Sequence, residues 1–523
     1  MRSIAAILLA VIVFFTTGSS DAAAQPVENG QNRYILMDSS LNAHIQDLYR
    51  DLGGNMVMPI DAGDPQAGDL QVWEFPRTLS ENDLLETWNA NNGTVGNLFL
   101  LPGNPQEVVT LSNEAEISAE ALNRLSLETE SFGKGSLSVV QIPSANYLRA
   151  VMPYGVRSEG LNFLKGTAEE MGSLSFQVND QLTLVAEPVA FEAYSDTGFE
   201  WTGAVAAQGK KPDITSTGFA SFVVEDGNVS GVISHGGITY EIRPLGGGAH
   251  AIIDFSKVLV APDGEVEEEG ELLLPDDEDN KDAELEDPAD VPVLAETVEL
   301  DVLITFSRQG AAKVGNTNTY ARNAIRASNT SYQVSGIRVK LNLVGVHIFN
   351  EDEIDDGNQK TRDDFIENRD RIIGTNDGLF DSVHDLRAQM KADIVVLIVA
   401  NSSLAGFATN HVNKSNAFTA VYQANAIGNF SMVHEIGHFI TAAHARGHIV
   451  PESGWVSVMK YGRDTRCPFR PAFGINLCLR DGYWSDPSQN HPVHGFPRGG
   501  NSNQNNVKRH NGTGNAKKVS NFF

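Results

Sequence analysis

Cysteine is nearly absent from this 523-residue chain. The two that occur, Cys467 and Cys478, lie eleven residues apart near the C-terminal end. This scarcity excludes a small scaffold held together by disulfides, and a single local disulfide is the simplest expectation. Two separate thiols are the alternative, because spacing alone does not establish the geometry of a bond.

Long apolar runs are also lacking. The run at residues 4–15 is too short to span a bilayer. Arg2 precedes it and Ala22-Ala23-Ala24 follows it, which is the pattern of a cleaved secretory signal. We therefore expect a signal peptide over 1–24, a secreted or extracellular protein with the periplasm as the alternative compartment, and no stable membrane insertion after cleavage. An uncleaved amphipathic or anchoring segment is the other interpretation.

Basic residues are scarce in the first 300 positions, which contain 14 Lys and Arg and 48 Asp and Glu. Residues 301–523 contain 24 Lys and Arg and 19 Asp and Glu. Residues 263–290 hold 15 acidic residues, one lysine and no aromatic residue, so they cannot form a core. Because the whole chain is also too long for one core, we predict an N-terminal region over 25–262, an acidic linker over 263–296 and a C-terminal domain over 297–523. The acidic half either attracts the basic half or only keeps the chain soluble.

The N-terminal region is predicted to be rich in β-strands. Alternating apolar runs at 219–225 and 238–242 are separated by Asp226-Gly227 and Gly236-Gly237, the pattern of β-hairpins. Its place between signal and linker suits a pro-region that assists folding or keeps the protein latent. A separate binding module would have the same sequence features.

The C-terminal domain alternates strands and helices. An apolar run at 393–400 is typical of a strand buried on both faces, and such alternation predicts an α/β fold with a mostly parallel sheet. The predicted strands are 298–306, 337–346, 393–400 and 417–426, and the predicted helices are 316–334 and 378–391. A further helix follows, with Asn429 as its expected cap.

That last helix contains His434, Glu435 and His438. Residues four apart lie on one face of a helix, so both imidazoles can bind one zinc ion. Glu435 lies beside them and is suited to take a proton from a water molecule that zinc has activated and to pass it to the leaving amine. The short motif also occurs in unrelated helices, so its context decides the interpretation.

The context is an ordered set: His444 lies six residues after His438, and Met459 and Tyr461 follow. Here the sequence resembles the metzincin clan of zinc peptidases, whose motif His-Glu-x-x-His-x-x-Gly-x-x-His precedes a methionine turn. The resemblance covers about 297–523 and is strongest to bacterial reprolysin-like and peptidyl-Asp metallopeptidases.

The resemblance implies a metzincin-type catalytic domain, α/β or α+β-like, with a twisted, mostly parallel sheet and an active-site helix. It implies one catalytic Zn²⁺, His444 as third ligand, Met459 as a floor below the metal, and Tyr461 as a zinc ligand or a donor to the oxyanion. It also implies that the edge segment 404–408 pairs with an extended substrate.

One position departs from the motif, because Thr441 replaces the clan's glycine. A continuous helix would place His444 about 120° away from His438, so ligation by His444 requires a break near Thr441. A left-handed residue there costs a non-glycine about 1–2 kcal/mol. The other histidines and carboxylates considered as third ligands are His448, Glu452, His491 and His494.

We therefore predict a secreted zinc endopeptidase, made as a precursor, that acts on proteins or peptides and not on nucleic acid. The N-terminal region is the expected intramolecular partner. It contains no cysteine, so it cannot keep the protein latent through a thiolate bound to the zinc. The alternatives are a secreted zinc-binding adhesion or interaction protein with little turnover, and a zinc enzyme that hydrolyses another bond.

Overall fold

The structure is a computed structural model of the chain, and part of the chain is described. The described residues are 118–141, 174–261 and 296–523, except 180–181, 196–197, 215–216, 227, 247, 355–360, 376, 409–412, 471–474 and 513–514, together with residue 50 and the strands at 33–38, 55–60, 70–75, 98–101 and 109–111. The predicted signal over 1–24 and nearly all of the predicted acidic linker lie outside them.

The chain divides into two compact units. One consists of Met1–Val109 and Asn146–Leu174, and the other of Thr110–Ala145 and Ser175–Phe523. This division differs from the predicted boundary at 263–296, since the second unit holds both the C-terminal domain and much of the predicted N-terminal region. Charge composition shows where a chain cannot form a core, but it does not show which folded parts pack together.

The first unit contains a small antiparallel sheet in the order β2-β3-β1-β4. Its strands are β1 (Arg33–Asp38), β2 (Asn55–Ile60), β3 (Leu70–Phe75) and β4 (Leu98–Leu101).

A larger sheet has nine strands in the order β5-β7-β8-β9-β10-β11-β12-β13-β6. These are β5 (Val109–Leu111), β6 (Leu137–Gln141), β7 (Leu174–Asn179), β8 (Leu182–Ala193), β9 (Phe199–Ala207), β10 (Gly218–Glu225), β11 (Asn228–His235), β12 (Ile238–Gly246) and β13 (Ala249–Asp254). The turn between β11 and β12 is Gly236-Gly237, and both glycines have positive φ, 65° and 76°. Two such residues form the hairpin turn that matches strand twist. Helix α1 (Ala119–Phe132) packs on β12.

The C-terminal sheet has five strands in the order β15-β14-β16-β18-β17. Three pairings are parallel, and the edge strand β17 is antiparallel. The strands are β14 (Val298–Phe306), β15 (Val339–Ile348), β16 (Ile394–Val399), β17 (Gly406–Phe407) and β18 (Phe418–Tyr422). The helices are α2 (Arg308–Val314), α3 (Thr317–Ser335), α4 (Arg362–Ile373), α5 (Val383–Met390), α6 (Ser431–Phe439), α7 (Asn506–Gly512) and α8 (Asn515–Val519). The expected mixed α/β content is confirmed.

After α6 the chain forms short elements. They are the 3-10 turns His444–Arg446 and Pro451–Ser453, the antiparallel pair β19 (Ile449–Val450) and β20 (Trp455–Val456), and the antiparallel pair β21 (Phe469–Arg470) and β22 (Ile475–Asn476).

Strand β16 is buried on both faces. Ile394, Val396 and Ile398 belong to a core shared with α3 and α6, while the alternate residues of the strand belong to a core shared with α4 and α5. Each core also contains side chains from the nine-stranded sheet or from α1 and the turn after β13, such as Phe219 and Phe255. The two sheets therefore do not have separate cores.

Two local predictions need correction. Helix α4 was missed, although Thr361 and Asp364 form a capping box at its start, a signal that the sequence carries. Helix α6 is preceded by Phe430 in a left-handed conformation and not by an Asn429 cap; the Asn429 amide donates to Ser431 Oγ instead. Within the described part of the chain, no helix has the length and apolarity to cross a membrane.

Candidate metal centre

Helix α6 carries the two histidines of the motif inside the protein. All nine of its residues are buried. The rings of His434 and His438 are 5.1 Å apart between centroids, as expected for residues one turn apart on the same face. Glu435, between them in sequence, is only 2% exposed. The helix thus brings a carboxylate and two imidazoles into one buried region.

The helix ends where the third histidine requires it to end. Ile440 closes the helix, and Thr441 takes a left-handed conformation with φ 75°. The Thr441 N–H donates to His438 O and the Ala442 N–H to Gly437 O, at 3.2 and 2.9 Å. These are the two hydrogen bonds of a Schellman C-cap, with a threonine at the position that glycine usually occupies. The break required near Thr441 is therefore present.

The turn at Thr441 brings His444 back to the helix. Ala443 is extended, and His444 begins the following 3-10 turn. One ligand nitrogen from each of His434, His438 and His444 lies within 4.8 Å of the others, and the Nε2 atoms of His434 and His444 are 3.0 Å apart. Three converging imidazoles form a site for one metal ion.

The other histidines and carboxylates considered as third ligands do not join this group. Among the described residues, the His, Cys, Asp and Glu clustered closely enough to hold a metal are the three histidines. His491 is fully buried, and its Nε2 lies 2.8 Å from Asp481 Oδ2. Its role is thus in the packing of the C-terminal loops.

The backbone before Met459 orients the first ligand. Nδ1–H of His434 donates to Val458 O at 2.7 Å, which leaves Nε2 with its lone pair directed at the other imidazoles. Burial lowers the pKa of His434 well below its usual value, and Arg480 and His438 lower it further. The ring is therefore neutral, as a metal ligand must be.

Met459 lies against the helix at Gly437. A Cβ atom on Gly437 would be 3.1 Å from Met459 Sδ and 2.7 Å from the Trp484 ring. Glycine at this position allows the methionine and the tryptophan to pack directly on the helix backbone. Met459 is fully buried, in keeping with a supporting side chain.

Tyr461 contacts the third histidine. Its hydroxyl oxygen is 2.5 Å from His444 Nδ1 and 3.4 Å from His444 Nε2. With the Nε2 lone pair directed at the metal position, Nδ1–H donates to the tyrosine oxygen. A phenol thus lies at the edge of the histidine cluster.

Glu435 lies against the edge strand. A Cβ atom on Gly406 would be 2.5 Å from Glu435 Oε1 and 2.6 Å from its Cγ. No other residue fits at position 406 without displacing the carboxylate. The edge segment was predicted from the sequence but this contact was not, because a glycine in a strand indicates close packing without naming the partner.

A disulfide connects the loops that follow Tyr461. Cys467 and Cys478 are bonded, and Cys478 N–H donates to Gly462 O at 2.8 Å. Trp455, which is fully buried, donates from Nε1 to Asp481 Oδ1 at 2.8 Å. The segment after the methionine turn is therefore held by hydrogen bonds at two points, one to Gly462 and one to Trp455.

Zinc is the metal that suits this set of donors. Catalytic zinc sites have three protein ligands, three imidazole nitrogens in some enzymes, and keep a fourth position for water or substrate. Among the described residues, no thiolate or carboxylate belongs to this cluster. A buried carboxylate adjacent to such a site is suited to proton transfer.

Comparisons with known proteins support a metallopeptidase. Residues 318–445 match the family model of M12B reprolysin-like metallopeptidases. The peptidyl-Asp metalloendopeptidase of Stenotrophomonas maltophilia strain K279a is 28% identical over 345 residues, which cover 61% of this chain and 76% of the relative. That of Xanthomonas campestris pv. campestris is 27% identical over 360 residues, covering 64% and 78%.

Among solved structures, a crystal structure of metalloproteinase-II from Bacteroides fragilis aligns with 63% of this chain and 92% of its own. Its identity is 11% and its TM-score 0.33, so this alignment carries no weight. The family match spans α3 to His444, and the sequence relatives share the endopeptidase name. These similarities support a zinc metalloendopeptidase whose residues 318–445 resemble the reprolysin-like family.

Proposed function

We propose that the protein is a secreted endopeptidase, made as a precursor, in which His434, His438 and His444 hold one zinc ion and Glu435 is the general base. The observation that carries the proposal is the convergence of the three ligand nitrogens within 4.8 Å. Glu435, buried on the same helix turn, supports it.

The proton transfers fall to Glu435. When bound, zinc supplies a Lewis acid that makes water more acidic and polarises a carbonyl. Glu435 accepts the proton from the attacking water and delivers it to the amine nitrogen as the peptide bond breaks. The close fit against Gly406 limits the positions of the carboxylate, so the base is held ready for the transfer.

Tyr461 is the proposed second catalytic group. Its hydroxyl lies beside His444 at the edge of the cluster. From there a phenol donates a hydrogen bond to the negative oxygen that develops on the substrate carbonyl, an interaction that stabilises the transition state more than the ground state.

The substrate is proposed to bind as an added strand. Strand β17 is the outer edge of the five-stranded sheet and lies against Glu435 through Gly406. A peptide hydrogen-bonded to such an edge is bound mainly through its backbone. The relatives are named peptidyl-Asp metalloendopeptidases, and we extend a preference for aspartyl bonds to this chain. Arg480, whose guanidinium donates to Lys460 O at 3.2 Å between Met459 and Tyr461, supplies a nearby positive charge.

The rival function is a zinc-binding adhesion or interaction protein without turnover. Its support in the sequence came from the N-terminal region, which a separate binding module would match, and from Thr441, which interrupts the motif. The support from Thr441 weakens because this residue adopts the conformation of the missing glycine and His444 reaches the cluster.

The test uses Glu435→Gln with Glu452→Gln as its matched control, because Glu452 is exposed in a nearby turn. Both variants and the wild type are assayed for zinc per chain and for cleavage of a peptide library containing aspartate at each position. We expect Glu435→Gln to keep zinc and lose about 10²–10⁴-fold or more in kcat/KM, and Glu452→Gln to match the wild type. A zinc-loaded wild type that cleaves no peptide, before or after processing near 263–296, contradicts the proposal.

A further inference from the structure

The nine-stranded sheet packs against the loop that precedes the active-site helix α6. We call the described part of 118–261 the sheet region and residues 296–523 the catalytic part. Between β18 and α6, the chain from Gln423 to Phe430 contacts side chains of β12. The contacts around this loop are both polar and apolar, and they are buried.

The polar contact centres on Arg243 of β12, which is 4% exposed. It donates to the side-chain and main-chain oxygens of Gln423 at 3.2 and 3.0 Å. It also pairs with Glu241 at 2.6 Å and with Glu128 of α1 at 3.2 Å. Glu241 in turn accepts from Gly428 N–H at 3.0 Å. The three charges pair with one another inside the sheet region, and the catalytic part adds hydrogen bonds from Gln423 and Gly428 to these buried groups.

The apolar contact surrounds the start of α6. Phe219 of β10 lies against Phe430 and Tyr483, with ring centroids 6.4 and 6.1 Å apart. The Phe255 ring fills the space at Gly428, where a Cβ atom would lie 2.0 Å from it. Phe219 and Phe255 are members of the two cores of the catalytic sheet, so removal of the sheet region would open both cores to water.

Helix α3 adds a third set of contacts. Asn323 donates to Ser230 Oγ at 2.8 Å, Arg326 to Thr202 Oγ1 at 2.6 Å, and Thr319 Oγ1 to Glu225 at 2.8 Å. The contacts are thus distributed along one helix as well as the loop before α6, which makes the interface broad and not a single point of attachment.

We infer that the sheet region is a permanent partner of the catalytic part, which it holds in the active arrangement, and that it stays bound after the connection between them is cut. The inference rests on the proposed function only for its activity readout. Processing near 263–296 would then yield a complex of two chains and not an isolated catalytic domain. The sheet region supports the loop that begins the helix carrying His434.

The first test cuts the full chain. A recognition sequence for a specific protease replaces residues 276–282 in the Glu435→Gln background, which prevents self-cleavage. After cutting, we expect both fragments to elute together in gel filtration in native buffer and to separate in denaturant. Separation in native buffer, with zinc retained by the C-terminal fragment, would overturn the inference.

The second test changes the interface. Gly428→Ala forces a methyl group into the Phe255 ring, and Phe255→Ala removes that ring. We expect each single variant to weaken association of the cut fragments about 10-fold or more, and the double variant to recover part of the loss, because the new methyl occupies vacated space. If the loss of association in the double variant equals the product of the two single losses, the two residues are not coupled, and the inference is contradicted.

Charge supplies the third test. Arg243→Met removes the two hydrogen bonds to Gln423 across the interface, and we expect the dissociation constant of the cut complex to increase about 100-fold or more. Arg308→Met, which removes an exposed pair with Asp352 within the catalytic part, is the matched control and should leave association unchanged. The same cut complex without Glu435→Gln is assayed on peptides. Co-elution without any cleavage would contradict the proposed function and leave this inference standing.

Discussion

Replacing Thr441 by glycine should make the protein more stable, although it removes a side chain. Thr441 has φ 75°, a conformation that costs a residue with a Cβ atom about 1–2 kcal/mol. Glycine avoids this cost but loses roughly 0.5–1 kcal/mol through the greater freedom of the unfolded chain. The expected net gain in the free energy of unfolding is therefore up to about 1.5 kcal/mol, and about 0.75 kcal/mol in the middle of the two ranges.

The comparison that isolates the strain is Thr441→Ala. Alanine keeps the Cβ atom and removes the hydroxyl, which donates to Ile440 O, so we expect it to be no more stable than the wild type. The assay is equilibrium denaturation of the zinc-loaded protein, with zinc content measured for each variant. If glycine is no more stable than alanine, the reasoning about strain at this turn is wrong. Thr441→Pro fixes φ near −65° and should also lose the zinc that His444 helps to bind.

Three further variants test the site and the fold. Gly406→Ala places a methyl group 2.5 Å from Glu435 Oε1, so kcat should fall by about 10-fold or more with zinc unchanged; full activity would show that the carboxylate adjusts freely. Tyr461→Phe should lower kcat by about 10²-fold if the hydroxyl stabilises the oxyanion, whereas a loss of zinc alone would indicate a ligand role. Burial lowers the pKa of His250 from 6.5 to about 4. Between these two values the unfolded state binds the proton while the native state does not, so stability falls as the pH falls, by about 1.4 kcal/mol per pH unit. His250→Gln should flatten the dependence of urea midpoints over that range, and an unchanged slope would contradict the assignment.

The catalytic sheet and helix were readable from the sequence because their signals are local. Strand β14 (Val298–Phe306) and helix α3 were predicted within one or two residues, and the spacing of His434 and His438 placed both on one helix face. The order of His444, Met459 and Tyr461 pointed to their common location. These features depend on periodicity and on short-range spacing, which a single sequence displays.

The remaining features depend on contacts between distant segments. Nothing near Gly428 in the sequence indicates that Phe255 fills the space beside it, and nothing near Gln423 indicates an arginine in β12. The acidic segment suggested a division between two domains, yet the packing joins the parts on either side of it. The break at Thr441 was inferred only because His444 could not otherwise bind the metal. Local helix propensity alone predicts that the helix continues past this residue, because no glycine marks its end.

The length of β17 has a consequence for the proposed binding of a substrate as an added strand. The strand has only two residues, so it offers few backbone hydrogen bonds, each contributing on the order of 1 kcal/mol. Such a gain does not compensate for pulling a segment out of a well-folded target, which costs up to the target's whole unfolding free energy. Cleavage should therefore be fast in flexible loops, termini and denatured chains, and the rate on a native protein should follow how often its segment opens.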